Sequence, residues 1–158
     1  MQKISPCLWY AHDAVTAAKL YVSLLPNSKI DKIQMSPSDY PGGKEGDELY
    51  LEFTLAGQSF QAINGGQPAQ YSHALSLSIA TEDQAETDKL WDGLLADGGR
   101  EQQCGWLSDR WGVNWQIVPK RLIELNNDPD PDVRRRVNQA MLKMVKIDIA
   151  GIEKAAKG

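Results

Sequence analysis

GQSFQAI, residues 57–63, and GVNWQIV, residues 112–118, share one pattern: a glycine, two variable positions, an aromatic residue, a glutamine and an apolar pair. Polar and apolar positions alternate through both, which is the period of a half-buried β-strand. Turn formers precede both, Ala56-Gly57-Gln58 in one and Asp109 to Gly112 in the other, so each reads as the closing strand of a hairpin. Self-similarity in order along a chain is the mark of duplication, and the flanking sequence extends it.

Working outward through the first half, Ile4 to Tyr10 is short, apolar and aromatic, and reads as a strand. Asp13 is placed to cap a helix running to Leu25, with Val15, Ala18, Val22 and Leu25 as its buried stripe and Pro26-Asn27 as its stop. Lys29 to Met35, Leu49 to Leu55 and Ser59 to Asn64 read as three strands, and residues 36–48, crowded with turn formers, read as a loop. The second half repeats the order. HALSLSIA, residues 73–80, alternates Leu75, Leu77 and Ile79 with small polar positions. Thr81 and Gln84 have capping-box spacing, and the helix that follows buries Leu90, Trp91, Leu94 and Leu95 before Gly98-Gly99 ends it. The two helices match as well: Asp13 with Asp83, Lys19-Leu20-Tyr21 with Lys89-Leu90-Trp91, Leu24-Leu25 with Leu94-Leu95. The expected fold is α+β: one domain of two tandem βαβββ modules, residues 1–66 and 72–119, followed by a helical tail, residues 120–158. In the tail, Asp130-Pro131 starts a helix with Val133, Val137, Ala140, Met141 and Met144 on one face. Ile147 and Ile152 staple a last helix at Asp148, and Arg134-Arg135-Arg136 reads as a solvated face.

Composition removes several classes of function. A net charge of −4 repels phosphate backbones, so nucleic acid is not an expected partner. No apolar run approaches the roughly 18 residues of a membrane span, and the N-terminus has no signal-peptide pattern. Cys7 and Cys104 stand far apart, as reduced thiols in a cytoplasmic protein would. The chain has no GxxxxGK[ST] or GxGxxG phosphate loop, no HExxH pair and no GxSxG elbow.

In each module one sheet face must pack on the helix and the other line a concave groove. Alternation sends Cys7, Trp9, Phe60, Leu75, Leu77, Ile79, Trp115 and Ile117 to the core. It sends Tyr10, Gln61, Ser76, Ser78, Asn114 and Gln116 to the groove, which Trp106 borders. Gln61 and Gln116 occupy equivalent places in the repeat; a neutral amide orients a polar ligand but cannot act as a general base. Both alternatively satisfy neighbouring backbone or water. His73 falls on the core side if alternation reaches the first residue of its strand, and otherwise is the candidate catalytic residue. Trp111, in the turn, is read as a groove rim, a subunit contact or local packing.

Several segments, CLWY, LYVSLLPNSKI, LEFTLAGQSFQAINGG, EDQAETDKLWDGLLADGG, CGWLSDRWGVNWQIVP and RVNQAMLKMVKIDIAGIEKA, together resemble the PhnB-like, demethylubiquinone methyltransferase-like branch of the vicinal oxygen chelate superfamily. That superfamily holds the glyoxalases, bleomycin-resistance proteins and dioxygenases. The resemblance implies paired βαβββ modules and a homodimer. It also implies, for metal-dependent members, four ligands on the first and last strands of each module, usually His, Gln or Glu. Those positions are here approximately Pro6, Gln61, Ala74 and Gln116, of which two have no donor side chain. The expectation is therefore a small-molecule-binding protein with no metal and no cofactor, its ligand held by Tyr10, Gln61, Ser76, Trp106, Asn114 and Gln116. The alternative is an enzyme acting on a small polar or aromatic substrate.

Overall fold

The computed structural model describes residues 2–158, which form two compact units, one ending at Gln70 and the other running from Tyr71 to Gly158. The first holds β1 (Cys7–Tyr10), α1 (Ala14–Leu24), β2 (Lys29–Met35), β3 (Glu48–Leu55) and β4 (Gln58–Asn64), in the sheet order β1-β4-β3-β2. The second holds β5 (Leu77–Thr81), α2 (Gln84–Leu95), β6 (Arg100–Glu101), β7 (Trp106–Ser108) and β8 (Asn114–Pro119), in the same order, β5-β8-β7-β6. In both, the first strand runs parallel to the last and the remaining pairs are antiparallel. The tandem βαβββ reading is thus the observed topology.

Each helix covers one sheet face. α1 buries Ala14, Val15, Ala17, Ala18 and Tyr21 beside Leu8, Tyr10, Leu51, Phe53, Phe60 and Ala62 of the sheet. Phe53 and Phe60, opposite each other in the β3–β4 register, stack with ring centroids 5.5 Å apart. Asp13 makes no side-chain cap bond; Asn64 of β4 takes that role, its Oδ1 accepting the Ala14 N–H at 2.9 Å while its Nδ2 donates to the Glu48 carbonyl. The helix start is therefore tied to the sheet beneath it. In the second unit α2 buries Leu90, Trp91 and Leu94 alongside Leu107, Trp115 and Ile117.

The alternation expected for β1 is inverted. Leu8 and Tyr10 are buried and Cys7 and Trp9 are not. All four residues of CLWY are apolar or aromatic, so the pattern carries no phase; the parallel register Cys7↔Gln61 and Leu8↔Ala62 decides it. Tyr10 accordingly points to the helix, where its hydroxyl lies 3.0 Å from that of Tyr21, and it does not belong to the open face. Leu75 is also not core: β5 begins only at Leu77, and Leu75 is exposed. The expected capping box is displaced too. Asp83 caps α2 by accepting the Glu86 N–H, Thr81 and Thr87 pair their hydroxyls at 2.7 Å, and Gln84 has another task.

That task is holding the tail: α3 (Lys120–Asn126), α4 (Pro131–Met141) and α5 (Ile149–Lys157). They enclose a small core of Leu122, Leu125, Val137, Ile147 and Ile152. Gln84 donates to the Ile147 carbonyl at 3.1 Å and accepts the Ile149 N–H at 2.9 Å, joining α2 to the start of α5. Asp88, held below its ordinary value by the Lys146 ammonium and then by Gln84, adds an ion pair of 2.8 Å. Asp130 and Pro131 start α4 as expected. The three arginines do not share one solvated face: Arg134 bonds the Asp128 carbonyl, Arg135 pairs with Asp132, and Arg136 closes the end of α5 on the Ala155 and Ala156 carbonyls.

Two further features set the surface. Residues 36–47 fold into a self-bonded loop whose Gly42 lies directly on Gly65 and Gly66; a Cβ on Gly66 would fall 2.0 Å from Gly42 Cα. The turn before β8 is built on the buried Asp109 carboxylate, whose Oδ1 accepts the Trp111 and Val113 N–H groups and whose Oδ2 accepts the Trp115 indole N–H, each at 3.0 Å. Trp111 lies half-buried beneath the Arg110 guanidinium, 4.7 Å from its ring centroid. Replacing Asp109 by Asn puts an amide N–H₂ among these donors; the expected loss is about 2–3 kcal/mol, read by chemical denaturation together with the near-ultraviolet signal of Trp115.

Candidate functional site

The sheet faces turned away from α1 and α2 carry the polar side chains. On the first unit the register sets Cys7, Gln61, Glu52 and Lys32 in one row across the four strands. Gln61 makes no side-chain hydrogen bond among the described residues. It borders a shallow hollow of about 290 Å3 with Ser5, Asp31, Glu52, Thr54 and Ser59. The Ser5 hydroxyl there is buried without a partner among the described residues. Thr54 and then Lys29 hold the Asp31 carboxyl below its ordinary value. Partial desolvation raises the Cys7 thiol, so it stays protonated at neutral pH and is a poor nucleophile. Trp9 packs directly against Gly65, its indole N–H donating to the Gln67 carbonyl at 2.7 Å.

On the second unit, Trp106↔Gln116 and Ser108↔Asn114 are directly opposed, and Gln116 and Asn114 stand two apart on β8, so all four share the open face with Ser78. Gln116 Nε2 donates to Ser76 Oγ at 2.9 Å. The repeat-related glutamines thus differ: one amide has no partner in its own unit, the other is held by a serine.

The segment before β5 completes this face. Instead of prolonging the strand back to residue 73, the chain turns, with the Leu75 N–H reaching the Ser72 carbonyl at 3.4 Å. His73 is left off the strand and exposed. Its Nε2 lies 2.6 Å from Gln102 Oε1, Gln102 Nε2 donates to Asn114 Oδ1 at 3.4 Å, and Asn114 Nδ2 donates to the Ser72 carbonyl at 2.9 Å. The direction of this chain is set at its end. A backbone carbonyl only accepts, so Asn114 must show it the NH₂; the Asn114 oxygen then requires the NH₂ of Gln102, and the Gln102 oxygen requires a proton on His73 Nε2. In the neutral ring, Nδ1 keeps its lone pair, with no hydrogen-bond partner among the described residues. The Trp106 ring stands beside the imidazole, centroids 6.1 Å apart.

A hollow of about 460 Å3 opens here, bordered by Tyr71, His73, Arg100, Gln102, Ser108 and Asn114. Arg100, opposite Ser108 in the register, shares the open face and forms no ion pair among the described residues. Glu101 also borders it, but its Oε1 accepts the Trp91 indole N–H at 3.0 Å. Of the expected ligand-contacting residues, the second unit brings Asn114 to the hollow, which the candidate catalytic residue His73 also borders, with Trp106 beside the His73 ring and Gln116 bonded to Ser76; Gln61 lies in the first unit and Tyr10 is buried there. Gln102, Arg100 and Ser108 were missed. β6 is two residues long, too short for an alternation to show in sequence.

The four positions at which the resemblance implies metal ligands do not suit a metal ion. Proline and alanine at 6 and 74 offer no side-chain donor, and the two remaining amides are neutral, a poor set for a divalent cation. No group of three or more His, Cys, Asp or Glu side chains able to hold a metal ion exists among the described residues. No helix among them is long and apolar enough to cross a membrane.

Two four-stranded sheets of order first-fourth-third-second, each backed by one helix and formed by consecutive βαβββ units, define a protein of the paired-module glyoxalase/bleomycin resistance fold. The sequence profile of the 3-demethylubiquinone-9 3-methyltransferase family matches residues 2–118, and the chain belongs to that family. The PhnB protein of Bacillus cereus is 32% identical, with 75% of this chain and 99% of that chain covered and a TM-score of 0.66. Protein PA1353 of Pseudomonas aeruginosa is 18% identical over 75% of this chain and 98% of its own, with a TM-score of 0.61. A glyoxalase/bleomycin resistance protein of Albidiferax ferrireducens T118 is 15% identical over 73% and 95%, with a TM-score of 0.48. No curated protein matches. The matched span stops at residue 118, so the tail segment that contributed to the resemblance lies outside it.

Nitrogen-detected NMR of the imidazole should find the neutral His73 ring predominantly protonated at Nε2. In Gln102→Ala the two tautomers should mix, because the oxygen that selects one is gone; a ring protonated at Nδ1 in the parent protein would contradict the relay.

Proposed function

We propose that the protein binds a small organic molecule without a metal, on the open sheet face of its second unit. The observation that carries this reading is the one-directional chain His73–Gln102–Asn114–Ser72. It holds a ring nitrogen acceptor beside an aromatic face and a hollow of about 460 Å3, within the size range of small-molecule sites. Side chains ordered by hydrogen bonds before a ligand arrives lose little freedom when it binds. The donor chemistry at positions 6, 61, 74 and 116 supports binding through neutral groups over binding through a cation.

The family's name denotes a methyltransferase. Such enzymes commonly cradle their methyl donor on a glycine-rich turn between a strand and a helix. Asn64-Gly65-Gly66 is the glycine turn that follows a strand in the first unit, and its glycines are taken up by packing: Gly65 beneath Trp9, Gly66 against Gly42. The residues do not fit a cofactor cradle at that turn. A second reading, an enzyme acting on the bound molecule, is favoured by the unengaged Nδ1 of His73, which can accept a proton from a ligand.

Three measurements test the proposal. Elemental analysis of protein purified without added metal should find no stoichiometric nickel, zinc or iron; finding one overturns the metal-free reading. In a thermal-shift screen of small polar and aromatic molecules, a ligand at a hundredfold excess over its Kd should contribute about 2.7 kcal/mol, a rise in Tm of roughly 5–10 °C. Mass spectrometry should return that ligand unchanged, whereas an altered mass would establish the enzyme reading.

A further inference from the structure

We infer that the hollow bordered by His73, Arg100 and Ser108 selects a small monocarboxylic acid that also carries a hydroxyl or comparable hydrogen-bond donor. The inference rests on the small-molecule reading above and goes further by naming the ligand's chemistry.

Three independent features define that chemistry. Arg100 supplies the charge: the β6–β7 register places it on the open face opposite Ser108, and no carboxylate among the described residues pairs with it. A guanidinium presents two parallel N–H donors, the geometry of a carboxylate. The one acidic neighbour on the rim, Glu101, is bonded to the Trp91 indole. A cationic ligand would meet the guanidinium as a like charge, and a neutral one would leave it unanswered. His73 supplies the second requirement. Because the amide chain places the neutral ring's proton on Nε2, Nδ1 can only accept, and its ligand partner must donate. Ser108, able to donate or accept, completes the polar lining, and Tyr71 on the same rim offers an aromatic wall to whatever joins the two ligand groups. Gln102 and Asn114 position the ring and need not touch the ligand.

The experiment measures calorimetric affinities of three probes, 3-hydroxybenzoate, 3-hydroxybenzamide and benzoate, for the full-length protein. These represent the complete pattern, the pattern without the charge and the pattern without the donor. The acid should bind at least tenfold tighter than its amide and weaken as salt is raised. Arg100→Gln should abolish the acid's advantage, whereas Lys143→Gln, which removes the same charge from the exposed surface of the tail, should not. His73→Ala should remove the preference for 3-hydroxybenzoate over benzoate and leave the affinity for benzoate in place. Both altered site residues are exposed, and circular dichroism checks that the variants fold. Equal affinity of acid and amide, or an Arg100→Gln protein that still prefers the acid, overturns the inference. If none of the probes binds while neutral molecules from the thermal screen do, the ligand class is wrong and the small-molecule reading stands. If nothing binds in either experiment, both fall.

Discussion

In the second unit the hydrogen bond between the Trp115 indole and the Asp109 carboxylate locks the phase of β8 to the turn that precedes it, and the open face depends on that phase. A slip of one residue in a strand exchanges its two faces. With Trp115 held on the helix side by a buried side chain that also closes the preceding turn, Gln116 takes the opposite face, and Asn114 goes with it. Asn114 then orients Gln102, and Gln102 orients His73. One carboxylate in a turn is thus connected, through strand phase and two amides, to the nitrogen that a ligand would meet.

How much of this was legible follows from the locality of each signal. The phase of β4 and β8 is written in the sequence, since glutamine sits between apolar neighbours in both, and the duplicated topology follows from it. The phase of β1 is not, because four consecutive apolar or aromatic residues fit either face and only pairing with β4 decides between them. Leu77 and Ile79 alternate as read, yet the strand starts later than the pattern HALSLSIA implies; Gln116 takes the Ser76 hydroxyl, and the chain ahead of it turns. His73 was ambiguous for the same reason. Its partner Gln102 lies 29 positions away, just past a strand of two residues that is too short to show a period.

The tail is a separate matter of economy in contacts. Lying beyond the span that the family profile matches, it builds its own small core. Within the second unit it is tied to the βαβββ part through directed bonds that include those of Gln84, the Asp88–Lys146 and Glu82–Lys120 pairs, and backbone bonds from Cys104 and Gly105 to Met144 and Val145. Gly105 permits the last of these, with φ of +81°, where a side chain would also press on the Ile117 carbonyl and Ile147. These bonds fall immediately before Trp106, so the added helices brace the edge from which β7 enters the open face.

The clasp of Gly42 on Gly65 and Gly66 carries an evolutionary consequence. Gly42 and Gly66, brought together from a loop and a strand end, leave space for hydrogen alone, so neither can gain bulk while the other stays still. Lineages that elaborate this loop must move its anchor first, and a descendant with an alanine at either of the two would have traded a seated strap for a wandering one.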